Sequence, residues 1–115
     1  MDVVKFADAP FYYPPNHEGV TARRLQGDEA SSADIAWVGY SDFPPGVVVP
    51  MEAGPIGKIY VVTQGVLTVV QANGDRHRLG QWDSIFIPAG EARAVENDSG
   101  APAAIIVVTP PPTKN

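Results

Sequence analysis

The stretch KIYVVTQGVLTVVQANGDRHRL, residues 58–79, decides the fold class. Two Val-rich segments flank Gln64-Gly65, and Ala72-Asn73-Gly74-Asp75 follows with the Asn-Gly pair that type I′ turns favour, because both central residues need a positive φ. Short β-branched runs cut by tight turns read as strands, and both turns predict antiparallel pairing of the strands they join. The same punctuation continues outward: Pro44-Pro45-Gly46 opens the run VVVPMEAGPIG at 47–57, and Asp98-Ser99-Gly100 precedes a Val/Ile-rich segment. No segment of helical length keeps a 3.6-residue apolar period. Strands are expected near 3–6, 20–25, 34–41, 46–50, 57–63, 66–72, 76–79, 83–87, 92–97 and 102–109. Their regular spacing predicts an all-β sandwich or barrel.

Composition supports this and narrows the function. A chain of 115 residues with 44% hydrophobic and 18% charged residues is one domain, 1–115, able to bury a core without disulfides or metal. Its 12 Pro and 11 Gly exceed average usage and indicate many turns. Residues 1–19, with FYYPPNHEG at 11–19, read as an N-terminal arm, and Pro110-Pro111-Pro112 begins a tail, 110–115, that cannot continue a central strand. The formal charge of -5, with Arg23-Arg24 the only adjacent basic pair, speaks against nucleic acid or an anionic membrane as partner. Without cysteine there is no disulfide, thiol nucleophile or thiolate ligand. The start MDVVKFADAP lacks a basic segment followed by a long apolar run, so a cytoplasmic location is expected.

Two stretches carry a family resemblance. Pro44-Pro45-Gly46 through Lys58-Ile59-Tyr60-Val61-Val62-Thr63-Gln64-Gly65, and then Leu79-Gly80-Gln81-Trp82-Asp83 through Pro88-Ala89-Gly90-Glu91-Ala92-Arg93-Ala94-Val95-Glu96-Asn97, resemble the two paired motifs of the cupin superfamily. Gly46 and Gly65 match the glycines of the first motif; Pro88, Gly90 and Asn97 match the second. The resemblance implies a double-stranded β-helix, or jelly-roll barrel, with dimerisation through sheet faces. In the family three His and one Glu usually hold a divalent metal, a donor set suited to Fe, Mn, Ni or Zn. Here Pro50 and Glu52 stand near the two His positions, Lys58 at the Glu position and Arg93 at the remaining His position. An ammonium and a guanidinium would repel a cation, so no metal and no cofactor is expected; an atypical site through Glu52 and His17 is the exception left open. His17, in a Pro-rich loop, and His77, in a charged hairpin arm, read as structural or exposed.

Strand alternation puts Lys58, Tyr60 and Val62 on one face, and the cupin register turns that face inward. The same register predicts that Pro50 and Glu52 point inward and that Arg93 shares its face with Val95 and Asn97. Glu52 and Lys58 are then candidate catalytic residues, and Arg93, Tyr60, Tyr40 and Arg23 candidate substrate-binding residues, with Arg24 replacing Arg23 if it is the one that points inward. A surface ion pair worth well under about 1 kcal/mol is the plainer reading of Glu52 and Lys58. Two cations and one carboxylate in a pocket would suit a small anionic or carbonyl-bearing ligand. Three functions follow: a metal-independent isomerase, lyase or cyclase with Glu52 as base; a binding or sensor cupin without chemistry; or a structural dimeric barrel. A Schiff-base role for Lys58 would need strong desolvation, which nothing in the sequence shows. The doubly apolar runs at 59–70 and 103–108 predict that both sheet faces are covered, so a homodimer is expected.

Overall fold

The computed structural model describes residues 1–112. After a short 3₁₀ turn at Phe6–Asp8 come ten strands: β1 Phe11–Tyr12, β2 Thr21–Gln26, β3 Trp37–Phe43, β4 Val48–Ala53, β5 Lys58–Gln64, β6 Leu67–Gln71, β7 Arg76–Leu79, β8 Ser84–Ile87, β9 Ala92–Glu96 and β10 Ala103–Thr109. They form a six-stranded sheet in the order β1-β2-β3-β10-β5-β8 and a four-stranded sheet in the order β4-β9-β6-β7. Every pairing is antiparallel. From β3 onward the chain passes from one sheet to the other at almost every connection, which is the jelly-roll pattern of a closed two-layer barrel.

That crossing corrects one expectation. The Asn73-Gly74 turn does join paired strands, β6 and β7, but β5 and β6 lie in different sheets and do not pair. Gly65 makes a corner between layers instead of a hairpin. Its φ is 72°, and a Cβ there would stand 2.3 Å from the Pro102 carbonyl oxygen, so only glycine fits.

Other differences are local. Residues 3–6 form no strand, and the two-residue β1 stands at the sheet edge instead. The strand expected at 34–41 begins at Trp37 and runs to Phe43, because Ile35 is 88% exposed while Phe43 reaches the core. The strand expected at 46–50 extends to Ala53. Pro50 is tolerated inside it because β4 is an edge strand, where a missing N–H breaks no ladder. A bulge between Val49 and Glu52 places an extra residue there: Val49 pairs with Val95, but Glu52 pairs with Arg93. Pro50 therefore faces outward and exposed, contrary to expectation, while Val49 and Glu52 both turn inward. The other expected strands agree within a residue. Of the expected tail, residues 110–112 have no regular structure and 113–115 lie outside the described residues.

The core lies between the sheets, with Val49, Val62, Leu67, Val69, Val95 and Ile105 wholly buried. One or two steps along the same strands the inward side chains change character: Val49 gives way to Glu52, Val62 to Tyr60 and Lys58, Val69 to Gln71, and Val95 to Arg93. Two residues of strand advance about 7 Å, so one end of the barrel is dry and the other polar within that distance.

Candidate functional site

The polar end encloses a cavity of about 430 Å³. β4 supplies Glu52, β5 Lys58 and Tyr60, and β9 Arg93; Ser41, Phe43, Ile105 and Val107 from β3 and β10 complete the inner wall. The arm folds over this end and adds Tyr12, Pro14, Pro15 and His17. Tyr12 lies across the inner face of β3 because Gly39 has no side chain: a Cβ there would stand 2.3 Å from the Tyr12 hydroxyl.

Arg93 is 3% exposed. Its Nε donates to the Tyr60 hydroxyl at 3.1 Å, whereas its Nη1 is buried without any partner. Guanidinium does not lose its proton in proteins, so the site keeps a buried positive charge with an unused donor. Burial pushes the Tyr60 hydroxyl above the ordinary tyrosine range, although Arg93 pulls the other way by charge and hydrogen bond. Lys58 is shifted down, first by burial and then by the Arg93 charge, with Glu52 opposing. Glu52 accepts a hydrogen bond from Asn16 Nδ2 at 3.1 Å and forms no ion pair among the described residues. His17 Nδ1 lies 2.7 Å from the Pro15 carbonyl oxygen. A carbonyl only accepts, so this nitrogen carries the proton and the neutral ring keeps Nε2 as acceptor. Burial, the largest influence, lowers the His17 pKa.

Glu52, Lys58, Tyr60 and Arg93 thus meet in one cavity, and Tyr40 and Arg23 do not reach it. Tyr40 points out of the six-stranded sheet, where its hydroxyl donates to Asp42 at 2.7 Å and Phe6 packs edge-on against its ring. Burial, followed by Asp42, pushes its hydroxyl up to about 12. Arg23 is on the same outer face, between Phe6 and Phe11, and donates to the Phe6 carbonyl at 2.9 Å. Arg24 is the inward member of the pair: it stacks on Tyr12 and Trp37 and its Nε meets Glu29 at 2.7 Å. Sequence reasoning missed Tyr12, Trp37 and Ser41. The inward row Trp37, Gly39, Ser41, Phe43 carries small residues where the cavity lies, so no apolar alternation marks it.

A second cavity, about 400 Å³, lies beyond Arg93 and is bounded by β6, β7 and β8 with Gln71, His77 and Glu91 on its wall. His77 Nε2 is 2.7 Å from Gln71 Oε1, and the residue is exposed.

The donor set does not fit the metal that the cupin resemblance implies. Pro50 faces away, Lys58 and Arg93 bring positive charge, and Glu52 and His17 leave one carboxylate and one imidazole. Among the described residues no three His, Cys, Asp or Glu side chains come together.

Residues 39–109 match the family model described as Cupin domain. The chain is 34% identical over 112 residues to a β-D-galactosidase of Mycobacterium tuberculosis, covering 97% of this chain and 96% of that protein. It is 25% identical over 93 residues to the tetracenomycin polyketide synthase protein TcmJ of Streptomyces glaucescens, covering 81% of this chain and 62% of the other. The structure of the polyketide cyclase RemF from Streptomyces resistomycificus superposes with a TM-score of 0.83 at 25% identity, covering all of this chain and 84% of that one.

Proposed function

The chain belongs to the cupin family, and from that premise and the chemistry of the cavity we propose a small-molecule enzyme that acts on a carboxylate or carbonyl compound by acid–base catalysis, without a bound metal. One observation carries the reading: the buried Arg93 guanidinium has a donor that nothing among the described residues uses, and Arg93 lines a cavity that also holds Glu52 and Lys58. An unpaired buried donor costs about 1–3 kcal/mol, and an oxyanion or carboxylate would recover it with a charge-assisted bond. In this reading Arg93 orients the ligand, Glu52 takes a proton from carbon or oxygen next to the carbonyl, and Lys58 and Tyr60 stabilise the developing oxyanion. Isomerisation, elimination and ring closure all share that first step. The polyketide cyclase likeness supports this class.

The galactosidase likeness supports a second reading, glycoside hydrolysis, but that chemistry ordinarily needs two carboxyl groups flanking the bond, and among the described residues the wall of the cavity carries one, Glu52. A binding cupin without chemistry and a purely structural dimeric barrel are the remaining alternatives. We place the protein in the cytoplasm as a homodimer.

Proton exchange decides among these. In D2O, wild-type protein should exchange the protons on the carbon next to the ketone of small oxo acids, read by NMR, and Glu52→Gln should slow exchange by about 10²–10⁴-fold. Equal rates in the two proteins would remove Glu52 as base. Arg93-dependent binding with no exchange would make the protein a binder, and release of nitrophenol from a nitrophenyl galactoside would favour hydrolysis.

A further inference from the structure

Lys58 enters the cavity from β5, and its ammonium has neither a hydrogen-bond acceptor nor an ion-pair partner among the described residues. Its Nζ lies against Gly54, where a Cβ would stand 3.4 Å away. Glu52 shares the cavity: its Oε2 accepts from Asn16, and its Oε1 takes no hydrogen bond among the described residues. An amine without a counter-ion, half-buried and beside a fixed guanidinium, is placed as activated Schiff-base lysines are, by desolvation and a neighbouring cation.

We propose that Lys58 is a nucleophile that condenses with the ketone of a small oxo acid whose carboxylate is held by Arg93. This rests on the carboxylate and carbonyl reading above, replaces the oxyanion role given there to Lys58 with a covalent one, and names the substrate class. The Lys58 ammonium first gives a proton to the Glu52 carboxylate. The free amine then attacks the carbonyl carbon: a C–N bond forms, the π pair moves to oxygen, and a proton shift from nitrogen to oxygen gives the neutral carbinolamine. Glu52 returns its proton to the hydroxyl, the nitrogen lone pair expels it as water, and a protonated imine remains. The balance is one ammonium plus one ketone giving one iminium plus one water, with no oxidant or reductant. The iminium withdraws electrons from the adjacent carbon, where bond cleavage or tautomerisation becomes accessible.

Borohydride trapping tests it. The full-length protein is incubated with pyruvate, 2-oxobutyrate or phenylpyruvate, with acetone as the carboxylate-free control, then reduced and read by intact mass and peptide mapping. The expected result is one adduct, of mass one substrate less one oxygen atom, on the Lys58 peptide. It should be lost in Lys58→Arg and Lys58→Met, reduced in Arg93→Met, and weaker with acetone. Circular dichroism confirms folding, and Lys58→Arg keeps the charge. An adduct on the Met1 amine or Lys5, or one that survives both Lys58 substitutions, overturns the proposal. So does the absence of any adduct. If an oxo acid still raises Tm through Arg93 in that case, the binding reading survives; if it does not, both fall.

Discussion

At the residue scale the cavity charges work against the stability of the protein and for its chemistry. A lysine whose folded pKa lies below its unfolded value binds fewer protons folded than unfolded as pH rises through the folded pKa, so stability grows with pH there. Below that pKa both states are protonated and the full cost of burying the ammonium remains. Lys58→Met should therefore raise Tm at neutral pH, and its advantage over wild type should shrink as pH rises through the lowered Lys58 pKa towards the ordinary lysine value of about 10. Thermal melts across that range check it; a constant difference would mean that Lys58 keeps its ordinary affinity for the proton. Glu52, Lys58, Tyr60 and Arg93 were legible in the sequence because the glycine and proline frame fixed their register. Alternation in TARRLQ groups Arg23 with Leu25 and Arg24 with Ala22, an apolar neighbour on each face, so the sequence could not say which arginine points inward, and a bulge between Arg24 and Gln26 breaks the pattern further. Tyr40 misled because aromatic residues suggest walls, while the actual inward neighbours, Gly39 and Ser41, leave room for a ligand.

At the scale of elements, turns were read correctly in position and only partly in consequence. Tight glycine turns serve both a hairpin and a corner between layers, and only the second sheet, distant in sequence, distinguishes them. The β4 bulge was equally hidden, since Pro50 announces an edge strand without saying which neighbours then turn inward. What closes the barrel at its dry end is Asn97, matched to the second motif by resemblance and 1% exposed. Its Nδ2 donates to the carbonyls of Phe43 at 2.7 Å and Ala101 at 2.8 Å, and its Oδ1 accepts from the Ser99 hydroxyl at 2.7 Å. One side chain thus ties the end of β3 to the turn between β9 and β10. Asn97→Ala would remove the donor to the buried Phe43 carbonyl, while Ala101 keeps the Ser99 hydroxyl at 3.1 Å, at a cost of about 1–3 kcal/mol. Denaturant titration should show this as a lower midpoint with an unchanged slope. Ligand affinity, measured well below the midpoint, should stay at the wild-type value because Asn97 lies outside the cavity.

At the scale of the molecule, the outer face of the six-stranded sheet divides into two halves. Beside β1, β2 and β3 the protein covers itself: Phe6 packs on Tyr40, and Arg23 lies between Phe6 and Phe11. Over β10, β5 and β8 the described residues place no arm, Ile35 and Pro110 bordering this half, and Ile59 and Phe86 are 42% and 64% exposed next to Val61, Ile106 and Val108. This apolar half runs to β8, whose far edge carries no partner strand. An uncovered apolar face continuous with an open strand edge offers a surface that two copies can share about a two-fold axis, so a second copy of the chain is the occupant we expect. Substituting Phe86→Glu together with Ile59→Lys should convert the dimer to a monomer by sedimentation equilibrium. The wild-type Tm should rise with protein concentration, whereas that of the double variant should not. A wild-type protein that sediments as a monomer at every concentration would rule the dimer out. The cavity opens on the other side of the sheet, lined by Lys58 and Tyr60, while Ile59 between them faces outward. Oxo-acid binding by the monomeric variant would therefore place ligand recognition within a single chain, and its loss would tie the order of β5 to the partner.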